Sequence, residues 1–196
     1  MSITLTRRRA AAAAVSICLA GLATSCASPP LNLYTLGDPA SPGSQPLGGH
    51  SIVIEVRRVA VPDFLDSQDI LVRNGNTLVR SSQGRWVSRV SLGVTTYLTA
   101  RLAQRRPDAL VTDQPQIETP NYRIFITIAT LDVTTAGTAT LEADWLIVPR
   151  NPDQPTRRDR GRFTASGPAA TDQDVVALYT AVLTQLTAAI DITSLP

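Results

Sequence analysis

Few side chains in this 196-residue sequence are equipped for chemistry, and they are unevenly placed. There are two cysteines, Cys18 and Cys26, one histidine, His50, and no lysine, every basic side chain being arginine. Without lysine the chain has neither a phosphate-binding P-loop lysine nor a Schiff-base nucleophile. His50 stands in the linker-like run Gly48-Gly49-His50-Ser51, and no Gly-x-Ser-x-Gly turn occurs, so a Ser-His-Asp arrangement has neither its base nor its nucleophile in place. Glu142 and Asp144, two residues apart, share one face of a strand, but no acid–base or ligand pattern accompanies them. The expectation is a protein that is not an enzyme and holds no metal. What remains is the thiol of Cys26.

Arg7-Arg8-Arg9 followed by the apolar run from Ala10 to Ala23 has the build of an export signal, too short for the roughly 20 residues a helix needs to cross a bilayer. It ends in Ala23-Thr24-Ser25-Cys26, which resembles the lipobox of bacterial lipoproteins, although Ala23 takes the place of the usual leucine and Leu22 is adjacent. That resemblance implies a covalent acyl lipid on Cys26, the one prosthetic group expected, and no other cofactor. Two or more acyl chains anchor stably where a single chain does not. Cys18 leaves with the signal, so no thiol pair is left for a disulfide or a zinc site. Ala27 is not aspartate, which by resemblance to enterobacterial sorting implies the outer membrane, facing the periplasm.

Residues 1–25 are therefore read as signal peptide, 26–50 as lipidated cysteine and flexible tether, and 51–196 as one globular domain. The tether is rich in Pro, Gly and Ser, spans about 25 to 30 Å as a flexible coil, and holds one compact apolar motif, Leu33-Tyr34-Thr35-Leu36, suited to docking as an edge strand. Three of the 18 basic residues and none of the 16 acidic ones lie in the signal, so the mature chain carries a formal charge of −1. A nucleic-acid partner is not expected. Only Arg157, Arg158, Arg160 and Arg162 cluster, diluted by Asp153 and Asp159, and solvated charge on an edge strand is the simpler reading.

Alternating apolar residues predict a strand at Ile52–Val56, with a bulge or bend before Val59 and Val61, and Pro62 ends it. Asn74-Gly75 predicts a tight hairpin between Ile70–Val72 and Leu78–Val79. Helical spacing runs between Arg85 and Arg106, with Pro107 as the stop. Strands follow at Ala109–Thr112, Tyr122–Val133, Ala139–Val148 and Arg158–Ala165. A second helix is predicted after the capping sequence Thr171-Asp172-Gln173-Asp174. The sum is an α+β fold: a mixed, largely antiparallel sheet of about six strands with two main helices packed on it.

The order of these pieces resembles the auxiliary lipoproteins of ABC-type transporters, the paraquat-inducible protein C-like family. The resemblance rests on Tyr34-x-Leu36 behind the lipobox, Ile54-x-Val56-x-x-Val59-x-Val61-Pro62-x-Phe64-Leu65-Asp66 and Ile70-x-Val72-Arg73. It continues with Arg85-Trp86 at the head of the first helix, Tyr122-Arg123-Ile124, and Leu141-x-x-x-Trp145. It implies an auxiliary subunit of an intermembrane lipid transport system built from mammalian-cell-entry (MCE) domain proteins and an ABC transporter. The implied partners are the MCE-domain protein, the membrane through the lipid anchor and, as an option, further copies of the chain. Phe64, Leu65, Arg85 and Trp86 are the candidate partner-binding residues, each with the plainer alternative of a core or turn role. The alternative function is a periplasmic lipid carrier with an acyl-chain cavity between helix and sheet.

Overall fold

The computed structural model describes residues 30–37, 48 and 51–196. The predicted signal peptide, Cys26, His50 and most of the predicted tether lie outside the described residues. The strands are β1 (Asn32–Tyr34), β2 (Val53–Val56), β3 (Asp69–Asn74), β4 (Thr77–Trp86), β5 (Leu110–Thr112), β6 (Tyr122–Val133), β7 (Thr138–Pro149) and β8 (Arg157–Ser166). The helices are α1 (Val90–Arg105) and α2 (Asp172–Ala189).

The α+β class is as expected, but the strands form two mixed sheets, not one of about six strands. One has three strands in the order β1-β4-β3, the other five in the order β5-β2-β6-β7-β8. Alternation along a strand reveals its faces and not its neighbours, so the division could not be read from the pattern. The sheets touch at a corner, where Arg73 bridges Thr134 and donates two hydrogen bonds to Asp132 at 2.9 and 3.0 Å.

The five-stranded sheet is the straightforward part. β6, β7 and β8 form an antiparallel meander, and β2 pairs parallel with both β5 and β6. Parallel pairing of β2 and β5 requires a crossover, and α1 lies within it. Leu141, Ala143, Trp145 and Ile147 point into the core from β7, as their spacing predicts, and the buried stripe Val175, Leu178, Tyr179, Val182, Leu183 and Leu186 of α2 covers them. On β6 the buried phase moves from Ile128 to Leu131 across a register shift, which lets one strand keep both halves of its apolar face inward. The predicted Thr171 cap is formed, and as a full capping box: its hydroxyl accepts from the Asp174 N–H and the Asp174 carboxylate accepts from the Thr171 N–H.

The predicted bend after Val56 is also present. Arg57 and Ala60 donate to Ile124 and Ile126, so three residues on this segment match two on β6, the count of a bulge. The displaced Val59 N–H donates to Thr95 Oγ1 on α1 at 2.9 Å. The β3–β4 hairpin exists, but its two loop residues are Gly75 and Asn76 instead of Asn74 and Gly75. Gly75 carries φ +58° while Asn76 keeps negative φ, the φ pattern of a II′ turn with glycine first.

Candidate functional site

The loop that carries the candidate residues Phe64 and Leu65 also caps α1. This helix has no acid in its first turn, and Arg89 at its N-cap makes no side-chain bond. Its leading N–H groups are satisfied from the loop between β2 and β3. Val90 donates to the Ser67 carbonyl at 3.1 Å, and Ser91 donates to Asp66 Oδ1 at 3.1 Å. Arg58 donates to Asp66 Oδ2 at 3.2 Å and to Ser91 Oγ at 2.7 Å. Burial opposes the charge on Asp66, and the Ser91 hydrogen bonds and the nearby arginines outweigh it, holding the carboxyl below its ordinary value. Leu65 is 3% exposed and belongs to the core, whereas Phe64 is 54% exposed.

Arg85 and Trp86 end β4 and do not head the first helix, which starts at Val90. Helical spacing reaches back to Val87 in the sequence, but Val87 is exposed and donates its N–H to the Tyr34 carbonyl of β1, so that apparent period is accidental. Arg85 lies 3.2 Å from Asp69 and donates to the carbonyls of Ser81 and Gly84. Trp86 is 3% exposed, its ring centroid 5.3 Å from that of Tyr179. Its indole Nε1 is buried without a hydrogen-bond partner among the described residues.

The four candidates therefore do not form one exposed patch. What the structure assembles beside them is an apolar groove of about 440 Å³ between the β1 segment and α1, within the size range of small-molecule sites. Its walls include Tyr34, Leu36, Trp86, Val87, Tyr97 and Ala100, and its charged residues are Arg89 and Arg101. No carboxylate lines it among the described residues. Gly37 lines the groove with φ +66°, and a Cβ there would stand 2.6 Å from Tyr97 Cε2, so this close approach requires glycine. Arg101 lies over the Tyr97 ring, 5.4 Å from its centroid, and the Tyr97 hydroxyl is 2.7 Å from Thr184 Oγ1 on α2. Sequence reading marked Tyr34 and Leu36 as a docking motif; that they would wall a groove with α1 depends on parallel pairing of β1 with β4, which no local pattern encodes.

Most charges of the remaining clusters are paired internally. Glu55, 4% exposed on β2, accepts from Arg57 at 2.7 Å and from Arg123 at 3.0 Å. Burial raises the cost of its charge, and these two arginines overcome it, leaving the carboxyl below the ordinary glutamate value. On β8, register sets Arg160 opposite Asp144 and Arg162 opposite Glu142, and both pairs form salt bridges. Arg157 donates to Asp191 and Ser194 of the C-terminal segment. β8 is an edge strand, so its arginines act as the charged border the sequence suggested.

Comparison with known proteins adds the following. The model of the family described as ABC-type transport auxiliary lipoprotein component matches residues 34–191. Among curated proteins, no relative matches the chain. A crystal structure of an uncharacterized protein is similar at TM-score 0.66 and 17% identity, covering 82% of this chain and 95% of that one. The crystal structure of protein XCC0632 from Xanthomonas campestris, of family DUF330, is similar at TM-score 0.60 and 17% identity, covering 80% and 90%. At these identities the likeness establishes the shared fold.

Proposed function

Because the chain belongs to the family of ABC-type transport auxiliary lipoprotein components, we propose that it is a non-enzymatic, lipid-anchored subunit of an ABC-driven system that moves lipids between membranes. In this reading acylated Cys26 holds it in the outer membrane, facing the periplasm, and its work is position and contact with an MCE-domain partner. The observation that carries the reading is a family match starting at residue 34, eight residues after the lipobox-like run that ends at Cys26.

Fractionation of a Cys26→Ala variant tests the anchor. The variant is expected to leave the outer-membrane fraction, with the wild-type circular dichroism spectrum retained. Undiminished outer-membrane association would contradict the reading. The carrier alternative is favoured by one observation, the apolar groove beside α1.

A further inference from the structure

We propose that the groove between β1 and α1 holds one acyl chain of an anionic phospholipid, drawn from the bilayer in which the protein is anchored. The chain would lie against Leu36, Val87 and Tyr97, with the headgroup meeting Arg89 and Arg101. The inference rests on the lipid-anchored reading above for the source of the lipid, and on the structure for everything else.

The groove's surface is mainly apolar, and among the described residues the charges that line it are two guanidinium groups, Arg89 and Arg101. An acyl chain has no hydrogen bonds to satisfy, whereas the amides of a peptide laid along such walls would lose water without finding enough partners. Arg89 forms no ion pair within 4.0 Å among the described residues, and Asp66, whose charge it favours from a distance, is already held by Arg58 and Ser91. Among the described residues Arg101 makes no ion pair; it donates to the neutral amide of Gln104 at 3.3 Å and lies over the Tyr97 ring. Both are therefore available to a phosphate, which guanidinium groups engage through paired hydrogen bonds.

Position supplies the source. Val87, exposed, lines the groove, and Leu31, Leu33 and Leu92, also exposed, lie within three residues along the chain of the lining residues Tyr34 or Gly93. β1 begins six residues after Cys26, a reach of about 20 Å at full extension. An acylated Cys26 would thus keep this apolar, basic face next to the lipid surface, where anionic headgroups attract arginines.

The test uses the full mature lipoprotein in phosphatidylcholine vesicles with phosphatidylglycerol carrying dibrominated acyl chains, which quench tryptophan on contact. The chain has two tryptophans, so a Trp145→Phe variant isolates Trp86 on the groove wall. Saturable quenching of Trp86 is expected. It should weaken about tenfold in an Arg89→Glu/Arg101→Glu variant, and disappear when Ala100→Phe fills the groove while thermal melting stays unchanged. Absent quenching, or quenching indifferent to both variants or equal with brominated phosphatidylcholine alone, would overturn the proposal. Should Trp145→Phe disturb the fold, a photoreactive acyl phosphatidylglycerol added to the wild type gives the same answer by peptide mapping. Adducts are expected within residues 31–37 and 87–101, and adducts confined elsewhere would overturn it. Neither readout needs the transporter, so a failure here is separable from a failure of the subunit reading.

Discussion

The β6–β7–β8 meander under α2 and the groove face beside α1 are stabilised in different ways. In the meander, each element carries its own instructions: alternation sets the inward face of β7, and Thr171 and Asp174 start α2 from within three residues of each other. On the groove face, every element borrows from a distant one. α1 is capped by Asp66, β1 exists by pairing with the end of β4, and Gly37 is shaped to the ring of Tyr97. A region built from local signals forms a core. A region built from borrowed contacts can expose apolar surface and open a cavity, because its residues are not all committed to packing.

The largest effect should come from the core. Leu141→Ala, at a fully buried position of β7, is expected to cost about 2 to 5 kcal/mol in urea unfolding followed by circular dichroism. Gly37→Ala forces a side chain into positive φ and against Tyr97; a cost of about 1 to 3 kcal/mol is expected. In hydrogen exchange the loss of protection should fall on β1 while the meander keeps its own. Loss spread evenly over both regions would erase the distinction between them.

The two helix caps sharpen the comparison. Thr171→Ala removes a local cap and Asp66→Ala a borrowed one, each at a cost of about 1 kcal/mol, up to about 2. Asp66→Ala should in addition raise exchange in the first turn of α1 and leave Arg58 with Ser91 but without its carboxylate, whereas Thr171→Ala should act on α2 alone.

Acid adds a further test of these carboxylates. Glu55 and Asp66 titrate below their ordinary values of 4.5 and 3.8 in the folded protein, so the stability they contribute is full above those values and is lost as pH falls through the depressed ones. Unfolding midpoints measured from pH 6 down to pH 3 should therefore decline, most steeply below about pH 4.5, and Glu55→Gln should flatten part of that decline. The smallest effect is expected at the surface: Phe64→Ala should change stability by less than about 0.5 kcal/mol. A loss above about 1 kcal/mol would mean that the exposed ring supports the capping loop.

What the sequence disclosed follows the same division. The spans of β6, β7 and β8, the inward residues of β7, the bulge after Val56 and the capping box of α2 were legible because each is written in consecutive residues. The division into two sheets was not, since β1 and β4 are brought together by pairing across a long stretch of chain. Trp86 was placed at a helix head because Val87 and Val90 extend the helical spacing backward by chance. The pair Phe64-Leu65 divides between solvent and core because a turn at Pro62 sends neighbouring side chains in opposite directions. Arg89 and Arg101 drew no notice in the sequence, since among many arginines only the fold shows which two face an apolar groove without a carboxylate.

The most direct test of the account is mass spectrometry of the protein purified with crosslinking from native membranes, reading its N-terminus and its partners in one experiment. The account predicts a mature chain that begins at a diacylated or triacylated Cys26 and is crosslinked to an MCE-domain protein of an ABC transport system. An unmodified cysteine, or an acylated chain whose crosslinks lead to no transport component, would contradict it.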